Sequence, residues 1–579
     1  MIISILIFFS VGGGTAGCVL AGRISELSNV KVLLLEAGGE QTSKLRVPWF
    51  HLWLTNSPHS WNYITSSQKQ AMKGLEYQKA PFWRGKVIGG TGAINTMIHM
   101  RGNPHDFDEW ESLGNTGWSY KDCLPYLNKL EKLMKPEYAK HSTILKEAFL
   151  SAGELLGYSV VDEQTDGKTS FAPYQFDIKN GRRWSTAQAY LLPVIQRRPN
   201  LHVALHAHVY KVLFESLEHP NRATGILVRY RRNLLVIRAR REIILSSGAV
   251  GSPHILLLSG IGPAQQLKEM DIPVIEDVPG VGENLQDHIA AYGLTWTTRA
   301  KGTAYNPFLY TANPMTYIRW KLWSSGPLAA PIGVEGNGFV PTKFGNESWP
   351  DIQITFVSAH PGFDGGTVYK DFLGISEELY YSYFSDNAFR EGYTLYPILS
   401  RPYSRGRIKL VSSSPIVQPK IEANYLSDYR DVLILIEGLK IARKIGDAPP
   451  FTKELTGKYF SKILPPCKDH AYESDEYWEC WIRHLATTDH HPVGTCKMGH
   501  TEKDANGEED AMAVVSYKTM KVKGLDNLRV VDASIMPNVP SGNLTTPVIK
   551  VAEKAADKIK KDLVMELNIG NDKIEDAES

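Results

Sequence analysis

The chain has 579 residues, 43% hydrophobic and 22% charged, and its 64 Lys and Arg against 62 Asp and Glu leave a formal net charge of +2. This is the composition of a globular protein with ample core, and the near-zero charge without a long basic block argues against a nucleic-acid partner. The five cysteines (Cys18, Cys123, Cys467, Cys480 and Cys496) are too few and too scattered for a disulfide scaffold or a C-x-x-C metal site, so no metal is expected, although Cys467 and Cys480 stand close enough to pair.

Ile2 to Phe9 is apolar but too short to span a membrane. No positive residue precedes it, as a signal peptide requires, and cleavage behind it would cut the next motif. It is read as the first strand of a sheet, interrupted by Ser10, and no membrane span is expected. Location stays open: extracellular if a leader precedes the chain as written, otherwise cytoplasmic. Val11-Gly12-Gly13-Gly14-Thr15-Ala16-Gly17 then carries dinucleotide spacing. Gly12 permits the tight turn, Gly14 lets backbone approach a pyrophosphate at a helix start, and Gly17 lets the helix pack on its strands. Val30 to Leu35 reads as a strand buried on both faces. Glu36, 19 residues past Gly17, is placed to accept from both ribose hydroxyls and would repel a 2′-phosphate. NAD and FAD both fit these residues; Ala37-Gly38-Gly39 begins to separate them.

The separation sharpens at Gly85-Lys86-Val87-Ile88-Gly89-Gly90-Thr91-Gly92-Ala93-Ile94-Asn95, followed by Arg101-Gly102-Asn103 and Asp106-Phe107-Asp108. Further stretches are Gly251-Ser252-Pro253 to Gly262, Val281-Gly282-Glu283-Asn284-Leu285-Gln286-Asp287-His288, His491-Pro492-Val493-Gly494-Thr495-Cys496-Lys497-Met498-Gly499, and Val531-Asp532-Ala533-Ser534 to Asn543. Five ordered motifs over nearly the whole chain resemble the glucose–methanol–choline (GMC) oxidoreductases, most of all the animal, insect-type branch. The resemblance implies an α/β fold: a Rossmann-like FAD-binding domain with an interleaved α+β substrate domain built on an antiparallel sheet. It also implies FAD as cofactor, held by Gly12, Gly14, Thr15, Ala16, Gly17, Glu36, Ala37, Gly90, Thr91, Asn95, Thr96, Met97, Asp532, Ala533 and Thr545, with the backbone of Val209 at the adenine. His99 stands where the family usually has an aromatic residue and is read as a structural histidine.

Leu124–Leu133 and Thr143–Leu156 have helical spacing and are read as closing the first nucleotide-domain segment. Leu201–Leu205 and His208–Phe214 alternate like strands. From about 291 to 479 motifs vanish and aromatics accumulate, as in a substrate domain. The expected boundaries are 1–150, 201–290 and 521–565 for the FAD-binding domain, 151–200 and 291–520 for the substrate domain, and a solvated tail at 566–579. Thr545-Thr546-Pro547 opens a last helix with proline in its first turn. Asn346-Glu347-Ser348 is a glycosylation sequon; Asn543-Leu544-Thr545 is one formally, expected to be buried and unmodified.

For the chemistry, the resemblance implies that His491 is the general base and Asn543 its partner, with hydride passing from a small-molecule alcohol to flavin N5 and electrons leaving to a quinone-like acceptor or to oxygen. His490 is read as structural. The alternatives are an alcohol or sterol oxidase, an NAD-dependent dehydrogenase, and a flavoprotein fold without catalysis that serves only to bind; the retained His491, Asn543, Asp532 and glycines oppose the last.

Overall fold

The computed structural model describes residues 3–567 apart from 163–166, 216–220, 306 and 504–508, so all but the first two residues of the expected tail lie outside the described residues. Ile3–Val11 (β1) is a strand between two parallel neighbours, Val32–Leu35 (β2) and the second half of Asn233–Leu245. Leu201–Ala204 lies parallel to β2 on one side and Leu528–Val530 parallel to Asn233–Leu245 on the other. Ala207–Phe214 and Ala223–Tyr230 complete the sheet as an antiparallel ribbon. Phe9, Val11, Val32, Leu34 and Leu35 are buried, as strands covered on both faces require. Ser10 is buried too, and its hydroxyl has no partner among the described residues.

The helix Thr15–Ile24 (α1) starts directly after the glycine turn. Its seat is tight: a Cβ on Gly17 would come within 1.9 Å of the Gly12 carbonyl oxygen, so only glycine allows the helix to sit this close to β1. The last helix, Thr545–Leu567, buries Ile549, Ala552, Ala555, Ala556 and Ile559 in the same core and packs along α1. Its buried Glu553 faces Arg23 of α1 at 3.2 Å and Lys129 at 3.7 Å.

A second sheet is antiparallel, in the order Lys458–Tyr459, Thr295–Thr297, Gly392–Leu399, Ile352–Val357, Val334–Val340, Ser170–Pro173. Ile289–Ala291 pairs with the Gly392–Leu399 strand and Ala486–Thr488 with Ile289–Ala291. Strand alternation gives it two faces. One carries Phe356, stacked on Phe149 at 5.0 Å, and packs against the helices Ile144–Leu155 and Tyr429–Gly446. The other, with Val334, Thr355, Val357, Tyr396 and Ile398, borders a cavity between the two sheets.

Two assignments move. Leu145, Ala148, Phe149 and Ala152 of the helix Ile144–Leu155 belong to the core of the second sheet, not to the nucleotide side as read from sequence, because this apolar stripe meets Phe171 and Phe356. Val493, Cys496, Met498, Val514 and Val515 pack in the core of the first sheet, so the chain returns there well before residue 521. A disulfide joins Cys467 and Cys480. Among the described residues no helix is long and apolar enough to cross a membrane.

Candidate active site

One continuous cavity runs from the glycine turn to His491. At its first end the wall is mainly backbone. A Cβ on Gly14 would meet nothing closer than 3.8 Å, so this side of the turn opens into the cavity. Glu36 accepts from Gly13 N–H through Oε2 at 2.8 Å and from Gly38 N–H through Oε1 at 2.7 Å, which leaves each oxygen a lone pair for a diol. Burial pushes its carboxyl up to about 7 even with those donors in place. Ser246, across the turn, lines the cavity with a buried hydroxyl that no described residue satisfies. Pairing slips between Val209 and Lys211, a bulge that sets Val209 and Tyr210 in the cavity wall.

At the other end two histidines and an asparagine form a chain with a fixed direction. His288 Nε2 lies 3.0 Å from the carbonyl oxygen of Ser400, which can only accept. Burial holds His288 down to about 4, so its ring is neutral at pH 7 and Nδ1 carries a lone pair. His491 Nδ1, 3.0 Å from that lone pair, therefore carries the proton. Burial, with His288, Arg84 and His490 nearby, holds His491 well below its ordinary value, so its Nε2 is bare. Asn543 Nδ2 donates to this Nε2 at 3.1 Å. The tautomer follows because each short contact needs one donor and one acceptor.

The loop carrying His491 is clamped from the stretch 281–288. Asp287 Oδ1 accepts from His491 N–H at 2.6 Å, while Tyr425 and Thr488 hydroxyls donate to Oδ2. Gln286 Nε2 donates to the Pro537 carbonyl at 2.8 Å, tying in the segment that leads to Asn543. Arg84 reaches the His490 carbonyl at 2.7 Å and brings a positive charge to the cavity wall. Asp489 Oδ2 stands 3.3 Å from His491 Nδ1, and burial pushes its carboxyl up to about 8.

The GMC oxidoreductase family models match residues 7–290 and 402–552. Over 574 residues the chain is 34% identical to "Glucose dehydrogenase [FAD, quinone]" of Drosophila pseudoobscura pseudoobscura, covering 96% of this chain and 86% of the relative. The chain belongs to the GMC oxidoreductases. It is also 34% identical to "Choline dehydrogenase, mitochondrial" of Mus musculus over 576 residues, covering 96% and 89%. Among solved structures it resembles pyridoxine 4-oxidase from Mesorbium loti with a TM-score of 0.77 at 26% identity, covering 96% of this chain and 99% of that one.

As a GMC oxidoreductase the chain is an FAD enzyme, and its cavity suits that group: a backbone-lined turn opens beside an acid with free lone pairs and an orphaned serine hydroxyl. Of the residues expected at the cofactor, Gly12, Gly14, Thr15, Ala16, Glu36, Ala37, Gly90, Thr91, Asn95, Thr96, Met97, Val209, Asp532, Ala533 and Thr545 line the cavity. Gly17 does not; it sits behind the turn against Gly12. The Asp532 carboxylate is engaged by Gly248 N–H, Ser252 Oγ and both the N–H and hydroxyl of Ser534, so its side chain braces the wall. Asn95 donates to Thr545 Oγ1 at 3.1 Å, joining the 85–95 motif to the last helix.

His99 lies outside the cavity lining. Burial pulls its pKa down, but Asp177 at 2.9 Å and Glu131 at 3.4 Å outweigh this and bring it up to about 9. His490 stacks on Trp83 at 4.2 Å. Cys467, Cys480 and His484 converge within ligand distance of one another, but the two sulfurs are joined in the disulfide. Sequence reading missed His288, Asp489 and Arg84. His288 stood in a quoted motif; only its contact with Ser400 reveals what it does.

Proposed function

We propose that the protein oxidises the CH–OH group of an alcohol, with His491 as general base, Asn543 as the partner that orients the alcohol oxygen, and a quinone-like compound as final electron acceptor. The observation that carries this reading is the bare Nε2 of His491 beside the Asn543 amide at the cavity. An alcohol oxygen seated there accepts from Asn543 Nδ2 and gives its proton to His491 Nε2. FAD, when bound, supplies the two-electron acceptor for the electrons and hydrogen of the carbon–hydrogen bond, leaving a carbonyl product.

His288 keeps the lone pair of His491 on the cavity side. Asp287 fixes its backbone, and Asp489 stands beside Nδ1 where the new positive charge appears. Arg84 favours an anionic oxygen in the cavity and opposes early protonation of His491. Gly12, Gly14, Thr15 and Ala16 would hold the pyrophosphate, Glu36 the ribose, Val209 the adenine, and Gly90–Met97 with Asp532, Ala533 and Thr545 the remainder of FAD. The quinone-like acceptor is supported by the printed name of the Drosophila relative.

The test is anaerobic mixing of holoenzyme with an alcohol panel, followed by reoxidation with a quinone or with oxygen. Bleaching of the flavin band by an alcohol, and faster return with quinone, is the expected result. Faster return with oxygen would make the protein an oxidase. Failure of every alcohol in a flavin-loaded sample would leave a binding protein.

A further inference from the structure

We infer that the substrate is an alcohol carried on an apolar, aromatic or branched carbon frame, not a free sugar. This rests on the oxidation reading above and concerns the wall facing the reacting group. The apolar surface begins at the catalytic loop itself: His490, next to His491, has Trp83 stacked at 4.2 Å and Phe372 edge-on at 6.0 Å, and Phe372 lies parallel to Tyr369 at 5.9 Å. Opposite, the inner face of the second sheet offers Val334, Val357 and Ile398.

Two of the polar groups on this wall already have partners, while His490 Nδ1 has none among the described residues and is an open polar atom there. Thr355 Oγ1 is 2.8 Å from the Tyr174 hydroxyl, and the Tyr292 hydroxyl donates to Asp489 at 3.1 Å while its ring lies 4.4 Å from that of Tyr396. A pyranose brings five hydroxyls and a ring oxygen. One hydroxyl is served by His491 and Asn543; each of the others left unpaired costs about tenfold in affinity. A site that recognised a sugar would need donors and acceptors placed for each of them. An aromatic or branched aliphatic body instead gains from every contact with this surface. In the reaction R–CH₂–OH becomes R–CHO: the hydroxyl proton goes to His491, and two electrons with the second hydrogen leave to FAD.

The experiment compares holoenzyme reduction by benzyl alcohol, cyclohexylmethanol and D-glucose without oxygen, alongside equilibrium titration with benzaldehyde and gluconolactone read from the flavin spectrum. The reduction rate constant divided by the dissociation constant should be at least about 100-fold higher for the two apolar alcohols than for glucose. Val357→Asn should lower that ratio for the apolar alcohols about tenfold while FAD stays bound. Glucose within tenfold of benzyl alcohol, or gluconolactone binding more tightly than benzaldehyde, overturns the inference. If benzaldehyde binds tightly but neither apolar alcohol reduces the flavin, the substrate class stands and the oxidation reading falls.

Discussion

The two ends of the cavity are made of different material. The nucleotide end is built mainly from backbone and small residues, its centre being the turn 11–17, Glu36 and the 85–95 stretch folding onto one another, with Val209, Ser246 and Asp532 closing it from later in the chain. The catalytic end is built from side chains whose loops are far apart, so that His491 depends on His288, His288 on Ser400, and both loops on Asp287 and Gln286. A site that uses backbone must write its geometry into glycine positions. One that uses side chains can draw them from anywhere the sheets bring together.

The sharpest way to break this division is to remove the proposed base. His491→Ala should slow flavin reduction by about 10²–10⁴-fold while leaving FAD bound, since nothing at the glycine turn changes. Rising pH should restore part of the rate by ionising the alcohol. Stopped-flow reduction within a few-fold of wild type would move the proton elsewhere. Asn543→His, which keeps a polar partner beside Nε2, should retain measurable activity.

At the other end, Glu36→Ala should weaken FAD binding by about 10–100-fold, through loss of the ribose contact and of the bonds that latch Gly13 and Gly38. Titration of the apoprotein with FAD measures it, and unchanged affinity would remove Glu36 from the ribose.

A smaller effect tests whether the tautomer matters. His288→Leu should reduce the rate about tenfold and distort its pH profile, whereas His288→Asn, which offers an acceptor to His491 and a donor to Ser400, should recover most of it. Equal loss in both variants would mean that His288 only fills space. Because His491 is held well below 6.5, its neutral form persists as pH falls through 6.5, so the wild-type reduction rate should show no step there, and a change near pH 8 reports the Asp489 carboxyl beside it. A rate halved near 6.5 would show an unperturbed base. Least of all, Ser10→Ala should raise unfolding stability by about 1 kcal/mol, because it deletes a buried hydroxyl without a partner; thermal melting detects it.

How far the sequence could be read follows the same division. The turn, its helix and Glu36 were visible because their chemistry fixes residue type and spacing within one supersecondary unit. The structural reading of His99 held, since its two carboxylates account for it. The helix Ile144–Leu155 was visible as a helix but assigned to the wrong core, because an apolar stripe states that a face is buried and not against what. His288 was out of reach: its effect on His491 exists only once residue 400 is brought beside residue 288. The aromatic richness of residues 291–479 was countable in the sequence, but not which rings reach the cavity: Tyr396 does so from a strand, Tyr369 and Phe372 from a short helix.

The order in which the chain leaves the ribosome adds a consequence. The glycine turn emerges long before the strand Leu528–Val530 that flanks its sheet, Thr545 in the cavity wall and the helix that packs along α1. Nascent protein therefore offers FAD an unfinished berth until the helix Thr545–Leu567 has been made. A nonsense change anywhere before the last helix should yield colourless, protease-sensitive product, however intact the first five hundred residues.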